Sequence, residues 1–288
     1  MTDRSNLPIT PIPSYSNLHG NNLIGKRIYV MPSVASTNDA AMKLGAEGCE
    51  QGTVVIADRQ SKGRGRSGRV WFSPQGMNLY FTVILRPELK ASDASLITLM
   101  AAVATVQAVR QVTEAEASIK WPNDILVNGK KLGGILAETK IRGSIIHLLA
   151  LGIGLNVNLD LSLLPEELKP CTTSLQYELG RPVPRFTLLD EILRSLEKWY
   201  KVLLSQERSH IVQSWKSLSS TLGRHVHVEL AGNTGVSGKA VDIGHMGELM
   251  VKTTDGSVVT VVAADVTHCN HTTQQSAVSG QLSAISLK

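Results

Sequence analysis

Apolar positions recur along this chain at two spacings. Between residues 92 and 112, Leu96, Leu99, Met100, Val103, Val106 and Val109 follow one another at intervals of three and four. That spacing predicts a long amphipathic core helix lying across a sheet. Leu188, Leu189, Ile192, Leu196, Trp199 and Leu203 repeat it over residues 187–205, and residues 211–218 predict a further helix. Elsewhere the apolar runs are short and rich in β-branched and aromatic residues, at 25–30, 53–57, 78–85, 118–120, 125–127, 131–138 and 145–151. Bounded by turn residues, they predict strands. Asn128-Gly129 predicts a tight hairpin turn between two of them. Ser36-Thr37 stands before Ala40-Ala41-Met42-Lys43-Leu44 as a capped helix start. The connection over 161–173 carries Pro165 and Pro170, with one helical turn expected at Glu166-Glu167-Leu168.

After Leu222-Gly223 the texture changes. Short β runs at 226–230, 235–243, 248–253 and 258–262 alternate with turns at Asn233, Gly244-His245, Gly247 and Asp255-Gly256. That pattern predicts a small β-barrel, near the lower size limit for a self-supporting core. Residues 1–24 are polar and Pro/Asn/Ser-rich, and the chain past about Asn270 is Ser/Thr/Gln-rich. The expected organisation is a disordered lead-in (1–24), a catalytic or binding domain (25–220), a small β domain (221–268) and a flexible tail (269–288).

Composition narrows the classes. A chain of 288 residues with 42% hydrophobic and 18% charged residues buries a real core, which excludes global disorder. Twenty-nine Lys and Arg against 24 Asp and Glu give +5, which suits an anionic ligand or an acidic partner without demanding nucleic acid. Cys49, Cys171 and Cys269 are far apart and form no CxxC pair, which points to a reducing cytoplasm and away from a disulfide framework or zinc site. No apolar run approaches the ~20 residues that span a bilayer, and the first residues lack the apolar stretch of a secretory signal.

The chemistry concentrates at residues 62–69, where Lys62, Arg64, Arg66 and Arg69 alternate with Gly63, Gly65 and Gly68 before Val70-Trp71-Phe72. Glycine allows close backbone approach, and guanidinium groups pair with carboxylate or phosphate oxygens. The loop lacks the Gly-Lys-Ser/Thr of a Walker loop, and neither its spacing nor the strand after it fits a dinucleotide fingerprint. No Ser/His/Asp or Cys/His arrangement accompanies it. Cations without a nucleophile point to electrostatic stabilisation of an anionic transition state. Gly133-Gly134 within a strand signals close backbone approach.

Five motifs, in order, carry a resemblance. They are Ser36-Thr37-Asn38; Gln60 with residues 63–69 and Trp71; Lys120-Trp121-Pro122-Asn123-Asp124; Lys131-Leu132-Gly133-Gly134-Ile135-Leu136-Ala137-Glu138; and Gly152-Ile153-Gly154-Leu155-Asn156-Val157-Asn158. Over roughly residues 26–266 the chain resembles the biotin protein ligases, which join biotin to the carboxyl carrier protein of acetyl-CoA carboxylase and related enzymes. The resemblance implies an α+β fold: a class II synthetase-like mixed β-sheet domain with helices, then an SH3-like barrel. It implies ATP and biotin as substrates, biotinyl-5′-AMP as intermediate, and a carrier-domain lysine as acceptor. By resemblance, Lys120 and Arg66 are catalytic, beside the carboxylate and α-phosphate. Ser36, Thr37, Asn38, Gln60, Arg64, Gly65, Gly133 and Gly134 bind biotin, together with Arg66 and Lys120. Trp71, Asn156 and Lys120 bind the nucleotide. Mg²⁺ is implied by ATP, with no carboxylate assigned to it.

Ligases that double as repressors carry a winged-helix domain ahead of the catalytic one. Here about 25 polar residues precede it, so no DNA binding is expected, nor a membrane; a homodimer stays open. Ala263-Ala264-Asp265-Val266 stands where the family often has glycine before Asp-Val. Two alternatives remain: a lipoate or octanoate ligase or transferase of the same fold, and a nucleic-acid-binding module built on the basic loop and barrel. With 4% aromatic residues, stacking platforms for the latter are scarce.

Overall fold

The computed structural model describes residues 10–11 (backbone), 23–205, 207–230, 234–262 and 264–268. In chain order the elements are β1 Thr10–Pro11, β2 Ile28–Met31, α1 Thr37–Ala46, β3 Val54–Ala57, β4 Leu79–Leu85, α2 Ala94–Thr113, β5 Ser118–Lys120, β6 Asp124–Val127, β7 Lys130–Arg142 and β8 Ile145–Leu155. They continue with α3 Leu175–Leu179, α4 Arg185–Leu204, α5 Ser209–Leu218, β9 His225–Leu230, β10 Thr234–Ile243, β11 Leu249–Lys252, β12 Val258–Val261 and β13 Asp265–His268.

The first eight strands form one mixed sheet in the order β1-β2-β3-β4-β8-β7-β6-β5. Its pairings are antiparallel except β2 with β3. Every residue of β4 is buried, because apolar layers cover both faces of the sheet. Successive strand side chains point to opposite faces. Val54, Ile56, Phe81, Val83, Leu151 and Ile153 enter the large core that also holds α2 and α4. Val55, Ala57, Ile84, Leu148 and Ala150 enter a smaller core with Ala41 of α1. Further along that second face, the register places Thr82 opposite Gly152 and Tyr80 opposite Gly154. Gly154 pairs in turn with Gly134, and Gly152 with Leu136. Between Tyr80, Leu136 and the small core, Gly134, Gly152, Gly154 and Thr82 leave a floor for something else.

The expected helices form, and Ala91–Thr113 meets the length and composition of a membrane span, with 72% of its window buried. That qualifies the expectation that no run approaches such a length. Its apolar character is explained by burial between the sheet and the helices packed on it. Asn128 and Gly129 both have positive φ (50° and 77°), as the hairpin turn requires. Residues 166–168 form a turn flanked by 3-10 turns at Leu161–Leu163 and Lys169–Cys171. Helix α3 escaped the hydrophobic pattern, being a single short turn. Ser174 caps it by accepting the Tyr177 N–H, and Gly180 ends it at φ 67°.

The C-terminal module is a five-stranded antiparallel sheet, β12-β11-β10-β9-β13, of the small SH3-like kind. Strand β13 adds to the runs read from the sequence. Ile24, placed in the expected lead-in, is buried and donates its N–H to Glu197 at 3.1 Å. Thr10–Pro11 pairs with β2. The rest of the lead-in through residue 22, Ala263 and the tail from 269 lie outside the described residues.

Candidate active site

A cavity of about 860 Å³ opens on the glycine floor of the sheet. At one end stands the start of α1. Asn38 is buried, and its amide is fully engaged: Oδ1 accepts from the Thr82 hydroxyl (2.7 Å), while Nδ2 donates to Leu136 O (3.2 Å) and Glu138 Oε2 (2.7 Å). A Cβ on Gly152 would strike that amide, so glycine there is a packing requirement. Gln60 Oε1 accepts the Thr37 backbone N–H (2.9 Å), and its Nε2 donates to Ser73 Oγ (3.1 Å). Asn38 is thus locked from β4 and β7, and Thr37 by Gln60. The expected Ser36 side-chain cap is absent; only its carbonyl serves the helix, accepting from Ala40 N. Its hydroxyl is buried along the cavity wall instead.

The glycine-arginine loop is folded onto the cavity by short internal bonds. Gly65 N–H donates to Arg69 O (2.7 Å), Trp71 N–H donates to Gly63 O (2.9 Å), and the chain reverses through Ser67 and Gly68 at φ 55° and 74°. A Cβ on Gly63 would lie 2.5 Å from Trp71 O and 2.7 Å from Ser73 Oγ, so no side chain fits. Arg64 is tied to Asp39 of α1 and Glu138 of β7 by charge-assisted bonds of 2.7–3.0 Å. Arg66 donates to Asn123 Oδ1 (3.2 Å) and Ala264 O (3.3 Å) and lies 3.9 Å from Asp265. Arg69 pairs with Asp265 directly. Carboxylate partners from three elements therefore organise the loop, a feature that local sequence gave no sign of.

Lys120 ends β5 and faces the same cavity. Burial pushes its pKa down, Asp124 opposes the shift, and Lys131 and Arg69 add to it. Arg66 is likewise pushed down, first by burial, with Asp265 opposing. Both are cations partly stripped of water, and an arriving anion would relieve that cost. The Trp121–Pro122 peptide after Lys120 is cis. Asn123 Nδ2 ties the turn to β7 by donating to Ile135 O at 2.8 Å.

At the far end the Trp71 indole rests on Gly154, where a Cβ would come within 2.6 Å of the ring. The Lys131 ammonium sits 5.6 Å from its ring centroid and 2.6 Å from Asp124. Trp71 Nε1 is buried without a hydrogen-bond partner among the described residues. Asn156 is buried and spent internally, its Nδ2 donating to Thr173 O (3.1 Å) and its N–H to Leu132 O (2.8 Å). Its side chain fixes the 161–173 connection beside the cavity.

Of the residues expected to form the site, all line the cavity except Gly133. Gly133 and Gly134 are neighbours on one strand and must face opposite sides of the sheet. Gly134 faces the site, whereas a Cβ on Gly133 would meet Gly154 O and the Leu155 side chain at 2.8 Å. Contrary to expectation, Gly133 therefore faces away from the cavity. The sequence reading missed Arg224, Glu229, Asp265 and His268 of the C-terminal module, and Leu164 and Leu168 of the connection, all of which line the cavity. Their distance along the chain from the recognisable motifs left no local signal. Among the described residues no group of three or more His, Cys, Asp or Glu side chains could hold a metal ion.

Comparison with known proteins gives two family matches: the biotin/lipoate A/B protein ligase family over residues 30–156 and the biotin protein ligase C-terminal domain over residues 221–268. The chain is 34% identical over 276 residues to a biotin–[acetyl-CoA-carboxylase] ligase of Mycobacterium tuberculosis, covering 93% of this chain and 99% of that one. It is also 34% identical over 244 residues to the bifunctional ligase/repressor BirA of Bacillus subtilis, covering 85% of this chain and 74% of the relative. Among solved structures, the biotin protein ligase from Aquifex aeolicus in complex with biotin and ATP superposes with a TM-score of 0.74 at 28% identity, over 84% of this chain and 99% of that one.

Proposed function

The chain belongs to the biotin protein ligase family, and from that premise we propose how its residues share the work of attaching biotin to a carrier lysine. The enzyme is an ATP-dependent ligase acting on biotin and on the carrier protein of a biotin-dependent carboxylase. In the first step a biotin carboxylate oxygen attacks the α-phosphorus of ATP; the P–O bond to the β-phosphate breaks, and pyrophosphate leaves. In the second, the neutral ε-amine of the carrier lysine attacks the acyl carbon of biotinyl-5′-AMP. The acyl C–O bond breaks, AMP leaves, and the amine loses its extra proton.

Two anions must meet in the first step, so repulsion and the charge building at phosphorus dominate the barrier. Lys120 and Arg66 are assigned to that charge. The observation that carries this assignment is their convergence, partly dehydrated, on one cavity. Thr37, Asn38 and Gln60 shape the opposite end, where Ser36, Arg64 and Gly65 complete the place for the biotin ring. Trp71, backed by Gly154, offers its ring to the adenine end, with Asn156 holding the adjacent segment. Mg²⁺ would be held by the nucleotide phosphates and offset their charge; among the described residues no group of three or more His, Cys, Asp or Glu side chains makes a dedicated cage, and such ions commonly keep phosphate and water ligands. The loop's three arginines are matched to carboxylates within the fold, which favours a small anionic ligand over a nucleic-acid backbone. A reaction needing ATP and an intracellular carrier assigns the enzyme to the cytoplasm.

The test is to incubate the protein with biotin, MgATP and an apo carrier domain and measure the mass of the carrier's lysine-bearing peptide. Addition of one biotinyl group is expected. Pyrophosphate exchange that required lipoate and ignored biotin would overturn the choice of substrate.

A further inference from the structure

The C-terminal module reaches back to the catalytic lysine through a buried threonine. Thr221, fully buried after α5, accepts the Trp121 backbone N–H on its Oγ1 at 2.9 Å. The same oxygen lies 3.2 Å from His268 Nε2, at the end of β13. On the other side of Lys120, Ser220 bonds Ile119 O through both its N–H (2.8 Å) and its hydroxyl (3.1 Å). The residues flanking Lys120 are thus gripped by the segment that opens the C-terminal module. His268 also lines the cavity with Lys120. Burial first, then the nearby Lys120 and Arg224, push its pKa down to about 4, so the ring is neutral near pH 7 and adds no positive charge beside the lysine.

We propose that His268 is a positioning residue for adenylate formation: through the Thr221 hydroxyl it fixes the Lys120–Trp121 turn, so that the Lys120 ammonium is set where charge develops on the α-phosphate. Thr221 has one hydroxyl proton and two lone pairs. One lone pair is committed to Trp121 N–H, and the His268 ring fixes the orientation of the rest. Without a partner at the ring position the hydroxyl can rotate, and the turn it holds loses a fixed anchor. A preorganised cation loses much of its effect when displaced by a fraction of an ångström. The Thr37–Gln60 end of the cavity shares none of these bonds, so biotin binding should be spared.

This inference rests on the ligase reading, and the experiment separates the two. Full-length wild type, His268→Leu, His268→Gln, Thr221→Val and the Leu/Val double variant are compared in biotin-dependent ATP–pyrophosphate exchange at saturating substrates, with biotin affinity measured calorimetrically. H268L is expected to slow exchange roughly tenfold or more while leaving biotin affinity near wild type. H268Q should recover most of the rate, because its terminal amide reaches the same hydroxyl. T221V, which also takes the acceptor from the Trp121 N–H, should be at least as slow as H268L, and the double variant should be no slower than T221V, as for one interacting unit. Wild-type exchange in H268L, failure of H268Q to rescue, a parallel loss of biotin affinity, or additive losses in the double variant would each overturn the proposal. If the wild type itself showed no biotin-dependent exchange, the ligase reading would fall, and this inference with it.

Discussion

Lys120 illustrates how one residue's setting defines its task. A surface lysine holds its charge at no cost, whereas here burial works against the charged form and Asp124 only partly compensates. Anionic substrates restore what burial removes, so the strongest interaction comes when negative charge is greatest, in the transition state. Lys120→Ala is therefore expected to slow biotin-dependent pyrophosphate exchange by about 10²–10³-fold, the usual cost of losing one preorganised donor. A rapid burst of adenylate in single-turnover measurements would contradict that. Gly154 sets the position of Trp71 in a purely steric way. A methyl group 2.6 Å from the indole must push the ring off the strand, so Gly154→Ala should weaken ATP binding about 10–100-fold, on the scale of a 1 Å misplacement. Titration calorimetry with ATP and biotin separately should find the larger loss with ATP. Both residues were legible from the sequence, one as a lysine on a stiff turn, the other as part of a glycine motif. Asp39, Glu138 and Asp265, which hold the arginines, were not. A carboxylate that meets its partner across dozens of residues has no local signature.

At the scale of elements, the loop over residues 62–69 reads from the sequence as cations alternating with glycines, aimed at carboxylate or phosphate oxygens. Folded, it is a short 3-10 turn at Arg66–Gly68 clasped between α1, β7 and β13. Removing Arg66 takes away a cation and the bonds to Asn123 and Ala264 together. Arg66→Gly should speed release of biotinyl-AMP by roughly 10- to 100-fold, since hydrogen bonds to charged groups contribute about 1.5–3 kcal/mol. Rapid-dilution measurement of adenylate dissociation checks this. The β6–β7 hairpin was legible because Asn-Gly demands one turn geometry. The two faces of β7 were not separable at Gly133-Gly134, since glycine carries no polarity to say which side is core. Pairing with β8 decides that: Gly133 meets Leu155, and Gly134 meets Gly154.

At the scale of the whole molecule, the cavity is closed by parts far apart in the chain, and its stability follows the state of groups at their junction. His268 is neutral in the fold, with its pKa pushed to about 4 from an ordinary 6.5. Lys120 of β5 and Arg224 before β9 act against its protonation, while Glu229 of β9 and Asp265 of β13 line the same cavity. The unfolded chain binds a proton at this residue once pH falls below about 6.5, and the folded one only near 4. The contribution is therefore full above 6.5 and lost progressively as pH falls toward 4. Thermal unfolding between those pH values should show a falling midpoint, with a shallower slope in His268→Gln. The sequence by itself determined the long helices and most of the strands, because periodicity and turn chemistry are local; the short α3 and β13 carry too few residues to show a period. It also determined the family, because the motif residues keep their order and types. Only the tertiary structure decided which face of each strand becomes floor or core, which carboxylates hold the arginines, and that the C-terminal module completes the cavity. Those are outcomes of register and packing between distant segments, set by burial and charge pairing that no local stretch contains.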